Sequence, residues 1–383
     1  MAKILLVDTN FSSGPIYAEL IALGHEVHVV GGNPLDCLAK IAPNYWEQDY
    51  SDTDALGALI KEQEFDYVVP GCTDRSYESC VAINDGRFPG IDNAVVNKAI
   101  NNKGAFRRLA EQLGLPVPKT QEAGLRTLRW PLIVKPVDSF SGKGMTIIEN
   151  EDAHKLHAAI KTACDASPSG DYLIEDFVDG QLHSHTAFLQ NGRVLQDFIV
   201  QEDHTANPFV VDTSRIVLNA PAELFAELRK CAETLARELR LVDGLLHTQF
   251  ISNLSGFWLI ELTRRCPGDL YSQLIELTTG YRYARSYLLP FLGQRVAATT
   301  ALLEHHPIMR HTVTVMAEQN LAHLRFKCSF LLERWVPLSL VGDPLKASPY
   351  SRIGILFCRC AGQQDLESIY DSTLQRNLYE VCA

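Results

Sequence analysis

The sequence HTQFISNLSGFWLIELTRRCPG, residues 247–268, predicts two short strands joined by a polar turn. The first strand is expected around 248–251 and the second around 257–263, with the turn at 252–256 between them. Two strands this close in sequence pair as an antiparallel hairpin. The polar residues of the hairpin can then be assigned to its two faces.

One face of this hairpin carries polar groups where a core hairpin would be apolar. Alternate strand residues face the same side, so Glu261, Thr263 and Arg265 are expected to point together, and Gln249 can lie opposite them. Carboxylate and amide oxygens beside an arginine suit Mg²⁺ bound to phosphates, because Mg²⁺ takes few protein ligands. The alternative is a half-solvated hairpin without a ligand.

The bulk composition predicts a soluble globular protein of several structural units. The chain has 383 residues, of which 46% are hydrophobic and 21% charged. Its net charge of −11 argues against nucleic acid as a partner, because phosphate backbones bind basic surfaces. No apolar run approaches the ~18 residues of a membrane span, and the N-terminus does not resemble a secretory signal. We therefore expect a cytoplasmic protein whose ten cysteines are reduced thiols.

The first part of the chain predicts a small parallel α/β domain. Strands are expected at 3–7, 26–30 and 67–69, with helices at 16–23 and 54–63 between them. The glycine fingerprint of dinucleotide-binding domains is missing after the first strand, which disfavours an NAD site.

The middle and the end of the chain predict a mixture of helices and strands. The predicted helices are 97–113, 153–163, 222–239, 281–289 and 364–379, and the predicted strands are 131–135, 145–148, 172–174, 186–189, 194–200, 311–316, 325–332 and 353–358.

Two lysines and a loop of small residues are candidates for phosphate binding. Lys103 opens a helix, and Lys135 ends the strand PLIVK, where a lysine can serve as a point charge for phosphate oxygens. The loop that follows contains Ser139, Ser141, Gly142 and Gly144, and its backbone N–H groups can turn toward phosphates. Each feature alone is also typical of an ordinary surface lysine or turn.

The order of these motifs resembles the ATP-grasp superfamily. The resemblance rests on Asn102-Lys103, GLPVPKT, PLIVKPVDSFSGKGM, LIEDFVDG, HTQF and LIELTRRCPGDL, and it covers roughly residues 95–285. It implies an α/β protein with an α+β lid: an N-terminal Rossmann-like domain at 1–95, an ATP-grasp domain at 96–300 with a mobile lid at about 118–180, and a C-terminal α+β extension at 301–383.

The resemblance also implies where ATP would bind. Lys103 and Lys135 would contact its phosphates, and the loop from Ser139 to Met145 would be the phosphate lid. Glu175 would accept from the adenine amino group. The backbone of Asp176, Phe177 and Val178 would form the adenine hinge, and His183 would replace the acidic ribose contact that the family often has at this segment. The spacing of His183 and His185 could also suggest zinc, but two ligands are too few for such a site.

The metal and the reaction follow from the same resemblance. Gln249 and Glu261 would hold Mg²⁺ or Mn²⁺, with Thr263 at the position where many members have asparagine. The glutamine resembles carbamoyl-phosphate synthase-like domains. Arg265 would stabilise charge on the transferred phosphate or on the acyl phosphate. Arg264 and Arg265 are the candidates for clamping a substrate carboxylate, because guanidinium binds carboxylate in bidentate fashion.

The implied function is an ATP- and Mg²⁺-dependent ligase that activates a small carboxylate as an acyl phosphate for attack by an amine. Two alternatives stay open. One is an enzyme forming carboxy- or carbamoyl phosphate. The other is a non-catalytic ATP-binding sensor module, which the departures of Leu182 and Thr263 from the family pattern leave open although Lys103, Lys135, Glu261 and Arg265 argue against it. The expected partners are a small carboxylate and an amine, without nucleic acid or membrane, and a homodimer is compatible with the family.

Overall fold

A parallel α/β unit forms the first part of the protein. The computed structural model describes residues 1–122, 128–139, 142–296 and 305–383. Four parallel strands are arranged in the order β3-β2-β1-β4, and the apolar strand residues are almost all buried, as expected for strands covered on both faces. The elements are β1 (Lys3–Val7), α1 (Gly14–Ala22), β2 (Glu26–Gly31), α2 (Cys37–Ile41), β3 (Tyr45–Glu47), α3 (Thr53–Gln63), β4 (Tyr67–Pro70) and α4 (Asp74–Ile83).

The single helix predicted at 97–113 is wrong, because two helices occupy this stretch. They are α5 (Ala94–Asn101) and α6 (Lys103–Gln112). Asn102 interrupts them in an extended conformation, and its side chain accepts from the backbone N–H of Ala105 at 2.9 Å. The break makes Lys103 the first residue of α6, where its backbone N–H donates to the carbonyl of Val137 at 2.9 Å.

A small antiparallel sheet follows, in the order β5-β8-β6-β7. Its elements are β5 (Thr120–Gln121), β6 (Leu132–Pro136), β7 (Thr146–Ile148), α7 (Ala153–Ala166) and β8 (Tyr172–Asp176). Leu132, Val134, Ile148, Leu156 and Ile174 form its own apolar core. We call this unit the lid sheet.

An eight-stranded sheet dominates the rest of the protein. Its first part comprises β9 (Gln181–Gln190), β10 (Arg193–Asp203), β11 (Thr213–Ile216), α8 (Ala222–Leu239), β12 (Gly244–Asn253), β13 (Gly256–Thr263), α9 (Tyr271–Thr279) and α10 (Tyr283–Leu288). The hairpin predicted at 247–268 is observed as β12 and β13, with Asn253 paired to Gly256 across the turn.

The segment after residue 301, which was predicted as an extension, adds strands to this same sheet. Its elements are β14 (Ile308–Val313), β15 (Gln319–Asn320), β16 (His323–Phe326), β17 (Leu331–Pro337), β18 (Pro344–Leu345), β19 (Gly354–Arg359), α11 (Gln363–Leu374) and β20 (Tyr379–Cys382). The strand order is β13-β12-β9-β10-β11-β14-β19-β17, in which β14 pairs directly with β11 of the first part. The predicted strand at 325–332 is two strands, and the predicted helix at 364–379 ends earlier, before Arg376 adopts a positive φ of 56°.

The apolar core also joins the two ends of the chain. Ile355 and Phe357 of β19 belong to the same buried cluster as Ile4 and Leu6 of β1. Among the described residues, no helix is both long enough and apolar enough to cross a membrane.

We predict that Phe357→Ala lowers the free energy of unfolding by about 3–5 kcal/mol, because it leaves a cavity at a fully buried site. Chemical denaturation followed by circular dichroism measures this free energy. Because the core is shared, the N-terminal unit and the C-terminal strands should unfold in one destabilised transition. Leu254→Ala is the control, because Leu254 is fully exposed; its free energy of unfolding should change by no more than about 0.5 kcal/mol. A separate early transition of the C-terminal strands would contradict the shared core.

Candidate active site

The pairing of β12 with β13 brings the predicted metal residues together. Gln249 lies directly opposite Glu261, and His247 lies opposite Thr263. Lys103 reaches the same place from the start of α6: its Nζ lies 3.3 Å from Glu261 Oε2 and donates to the carbonyl of Ser139 at 3.0 Å. The hairpin, α6 and the loop after β6 therefore meet at one point.

Lys103 and its neighbours control the charge of Glu261. Burial alone would raise the pKa of this carboxyl, but the ammonium of Lys103 and the guanidinium of Arg265 outweigh burial and lower the pKa. The Glu261 side chain keeps 45% of its surface exposed, and it lines two neighbouring cavities. Glu261 thus presents an ionised carboxylate to both cavities.

Behind this point lies a buried ion group that joins three elements. Glu175 at the end of β8 pairs with Lys135 of β6 and with Arg107 of α6, and all three side chains are at most 3% exposed. Arg107 also donates to the carbonyl of Ile260 on β13 at 2.8 Å. Burial would raise the pKa of Glu175, but the two cations lower it, so the carboxylate is ionised. Sequence reasoning missed Arg107; its position one helical turn after Lys103 was the available signal.

The first cavity, of about 400 Å³, lies between the lid sheet and the hairpin, and we call it the apolar cavity. Much of its wall is aliphatic or aromatic, with Ile133, Phe177 and Ile260 among its lining residues. The predicted residues that line it are Lys103, Lys135, Ser139, Gly142, Met145, Glu175, Asp176, Phe177, Val178, Gln249 and Glu261. Ser141 lies outside the described residues.

The loop after β10 covers this cavity, and sequence reasoning gave it no role. His204, Phe209, Val210 and Val211 of this loop line the apolar cavity. Gly142 has a φ of +69°, and a Cβ atom built there would lie 2.3 Å from Phe209 Cβ. Only glycine allows the two loops to approach this closely. Gly144, also predicted as a binding residue, instead packs against Ala166.

The second cavity, of about 450 Å³, lies between the hairpin and the N-terminal unit, and we call it the charged cavity. It reaches Ser12 and Thr73 in the loops after β1 and β4, the carboxyl ends of parallel strands. Its charged lining residues are Asp74, Arg75, Lys103, Glu202, Glu261, Arg265, Asp269, Arg310 and Arg352.

Several of these charges are already paired within the protein. Arg265 makes a bidentate pair with Asp74, at 2.7 Å and 2.8 Å. Arg352 and Arg310 approach the carboxylate of Asp269 at 2.8 Å and 3.4 Å. Arg265 thus sits in the charged cavity, beside Glu261, but it is held there by the N-terminal unit.

A buried histidine lines the charged cavity without a partner for one ring nitrogen. His247 is 6% exposed, and its Nδ1 has no hydrogen-bond partner among the described residues. Burial, assisted by the positive charge of Arg265, lowers the pKa of His247 to about 3, so the imidazole is neutral near pH 7. Its edge contacts the ring of Tyr271, with centroids 5.2 Å apart.

The two cavities share part of their lining. Lys103, Val210, Val211, Gln249 and Glu261 line both. A ligand in the apolar cavity and a ligand in the charged cavity would therefore meet at these residues.

This architecture matches a known family. A family model described as an ATP-grasp domain matches residues 128–273, from the lid sheet through β13 and into α9. Residues 128–273 are therefore similar to an ATP-grasp domain. The resemblance stated from the motifs is confirmed.

Relatives and solved structures agree with the domain. The chain is 29% identical over 188 residues to a formate-dependent phosphoribosylglycinamide formyltransferase of a Nitratiruptor species, covering 46% of this chain and 48% of the relative. It is 29% identical over 197 residues to the carbamoyl phosphate synthase large chain of Rubrobacter xylanophilus, covering 47% and 18%. The chain thus spans half or less of these relatives.

A solved L-amino acid ligase from Bacillus licheniformis superposes on the whole chain with a TM-score of 0.79 at 17% identity, and 99% of that structure is covered. This likeness establishes the fold over the entire chain, which includes the predicted N-terminal α/β unit and the C-terminal strands.

The fold does not bring every predicted residue to the two cavities. Arg264, which was predicted to clamp a substrate carboxylate, lines neither cavity and is 3% exposed. It pairs with Asp92 at 2.7 Å and donates to the carbonyls of Leu245 and Val242, both at 2.6 Å. Strand alternation turns Arg264 away from the side that Arg265 faces. Its contacts give it a structural role.

His183 is also turned away from the apolar cavity. Its ring stacks on Phe250, with centroids 5.2 Å apart, while Leu182 and Asp179 line the cavity instead. The ribose contact predicted for His183 therefore lacks support from its position. His185, the other histidine of the zinc alternative, pairs with Asp197 at 3.0 Å.

Thr263 lines the charged cavity and not the apolar one. Its hydroxyl accepts from the backbone N–H of Arg265 at 3.3 Å. Along β13 it follows Leu262, beyond the position where Glu261 pairs with Gln249. It shares the charged cavity with Gln249 and Glu261, so its role at the metal stays a prediction.

We predict that Arg107→Ala lowers the free energy of unfolding by about 3–5 kcal/mol, because it removes one partner of a buried ion group and leaves a cavity. Urea denaturation measures the change. Arg193→Ala is the matched control, since Arg193 pairs with Glu233 while 80% exposed, and less than about 1 kcal/mol is expected there. Equal losses in the two variants would show that the ion group does not stabilise the fold.

Proposed function

We propose that the protein is an ATP- and Mg²⁺-dependent ligase that joins a small carboxylate to an amine through an acyl phosphate. The observation that carries the proposal is the junction of the two cavities at Lys103, Gln249 and Glu261. A nucleotide in one cavity would present its terminal phosphate to a substrate in the other at this junction.

The apolar cavity has the features of a nucleotide site. Its aliphatic wall suits an adenine ring, and the backbone from Asp176 to Val178 lies at its edge as the proposed hinge. Lys103 and Lys135 supply positive charge for the phosphates, and the N–H groups near Gly142 supply donors. Glu175 also lines this cavity, with its carboxylate paired to Lys135 and Arg107. Accepting from the adenine amino group is the role that the family resemblance implies for it.

Gln249 and Glu261 fit a magnesium ion that also binds phosphates. A carboxylate and an amide oxygen are hard ligands, and Mg²⁺ is commonly held by one or two protein groups plus phosphate oxygens. No cluster of three or more His, Cys, Asp or Glu side chains suitable for a metal occurs in the described part of the chain, which agrees with a site that the nucleotide completes. When bound, the ion would offset the negative charge of the phosphates.

The charged cavity would hold the carboxylate and the amine. In-line attack of a carboxylate oxygen on the γ-phosphorus would give an acyl phosphate and ADP, a step that depends on positioning and charge neutralisation. Arg265, fixed by Asp74, would stabilise the negative charge that develops on the acyl phosphate. Amine attack on the carbonyl carbon would then release phosphate.

The two covering loops would shield the acyl phosphate from water. The loop that contains Gly142 contacts the loop that contains Phe209 directly over the apolar cavity. Excluding water matters here because acyl phosphates hydrolyse readily once water reaches them.

The size of the charged cavity suits a two-substrate reaction. At about 450 Å³ it has room for an acid and an amine side by side. A second candidate function is the formation of carboxy- or carbamoyl phosphate. Gln249 supports this candidate, because carbamoyl-phosphate synthase-like domains have a glutamine at the corresponding position.

The first experiment measures ADP and phosphate release with Mg-ATP and a panel of carboxylic acids crossed with ammonia, amino acids and other amines, with bicarbonate as a separate arm. Release that requires one acid–amine pair, with a condensed product by mass spectrometry, is the expected result. Release with bicarbonate alone would favour the second candidate, and nucleotide binding without any release would favour a sensor module.

We predict that Glu261→Ala lowers this turnover by about 10²–10³-fold, because it removes the carboxylate at the junction. The control is Glu333→Ala on the edge strand β17, where the carboxylate pairs with Arg359 at 2.6 Å outside both cavities. Turnover in Glu261→Ala equal to that of the control would contradict the proposed site.

A further inference from the structure

A hydrogen bond between Gln249 and a carboxylate stands behind the proposed metal position. Gln249 Nε2 donates to Glu202 Oε2 at 2.6 Å, and Glu202 is 4% exposed. The two residues lie on β12 and β10, with β9 between them, and the small residue Ser184 of β9 is directly opposite Gln249. A small side chain there leaves room for the two longer ones to meet above it.

This contact decides which way the amide of Gln249 points. The amide nitrogen of Gln249 faces Glu202, so the amide oxygen, on the other side of the same planar group, faces away from it. Among the described residues, no hydrogen-bond donor contacts that oxygen. Gln249 lines both cavities, so the free oxygen is available at their junction.

Glu202 lies beside the junction of the two cavities. Glu202 lines the charged cavity but not the apolar cavity. Its contact with a bound nucleotide would therefore run through Gln249.

We propose that Glu202 is a positioning residue that fixes the amide of Gln249 with its oxygen toward the metal–nucleotide complex. The inference rests on the proposed function, because it needs the metal position at Gln249 and Glu261. Residues behind a metal ligand orient that ligand, and their loss commonly weakens metal binding by about 10–100-fold.

Exchanging the carboxylate and the amide between positions 202 and 249 tests the proposed role of Glu202. Gln249→Glu alone sets two carboxylates against each other at the 2.6 Å contact, whereas Glu202→Gln combined with Gln249→Glu restores a carboxylate–amide pair with the roles exchanged. The readouts are Mn²⁺ binding by electron paramagnetic resonance in the presence of the non-hydrolysable analogue AMP-PNP, and metal-free AMP-PNP binding by calorimetry in EDTA. Neither readout depends on turnover.

We expect Gln249→Glu to weaken Mn²⁺–AMP-PNP binding about 10-fold or more, and the double variant to recover most of that loss. The proposal would be overturned if the loss of Mn²⁺–AMP-PNP affinity in the double variant equalled the sum of the losses in the two single variants. Glu333→Gln, on the far edge strand, is the control and should match the parent protein.

Glu202→Ala keeps the test decisive if Gln249→Glu does not fold. It should weaken Mn²⁺–AMP-PNP binding while leaving metal-free AMP-PNP binding unchanged, because Glu202 does not line the apolar cavity. Equal weakening of both would assign Glu202 a purely structural role and overturn the proposal. A parent protein whose Mn²⁺ binding does not respond to AMP-PNP would instead refute the proposed metal–nucleotide site, and with it this inference.

Discussion

The active site depends on one buried ion group, in which Glu175 of the lid sheet pairs with Lys135 and Arg107. Three charges at this depth are costly unless they neutralise one another with good geometry. Arg107 extends the group to the carbonyl of Ile260, so the lid sheet, α6 and the hairpin are fixed relative to one another. The apolar cavity is the space that these three elements leave between them.

A single residue, Asn102, also has a large effect on the site, because it separates α5 from α6. It starts α6 at Lys103, and it sends the lysine side chain to Glu261 and to the loop after β6. Without that break the lysine would lie within a continuous helix instead of at a helix start. The junction between the two cavities thus follows from a local capping interaction together with the long-range ion group.

Strand alternation made much of the hairpin predictable from the sequence. It placed Glu261 opposite Gln249 and turned Arg265 toward the cavity, and the same rule, applied strictly, turns Arg264 and His183 away. Arg107, Glu202 and the loop around Phe209 could not be assigned this way. Their contacts join residues 47 to 153 positions apart, or depend on loop packing, and strand alternation does not specify such pairs.

In the proposed reaction a carboxylate oxygen attacks ATP at the junction of the two cavities. The most direct measurement uses the acid substrate labelled with ¹⁸O in its carboxylate, followed by mass spectrometry of the released phosphate. An acyl phosphate intermediate predicts that one labelled oxygen appears in each phosphate, because the attacking oxygen leaves with it. Product formation with unlabelled phosphate would contradict the account.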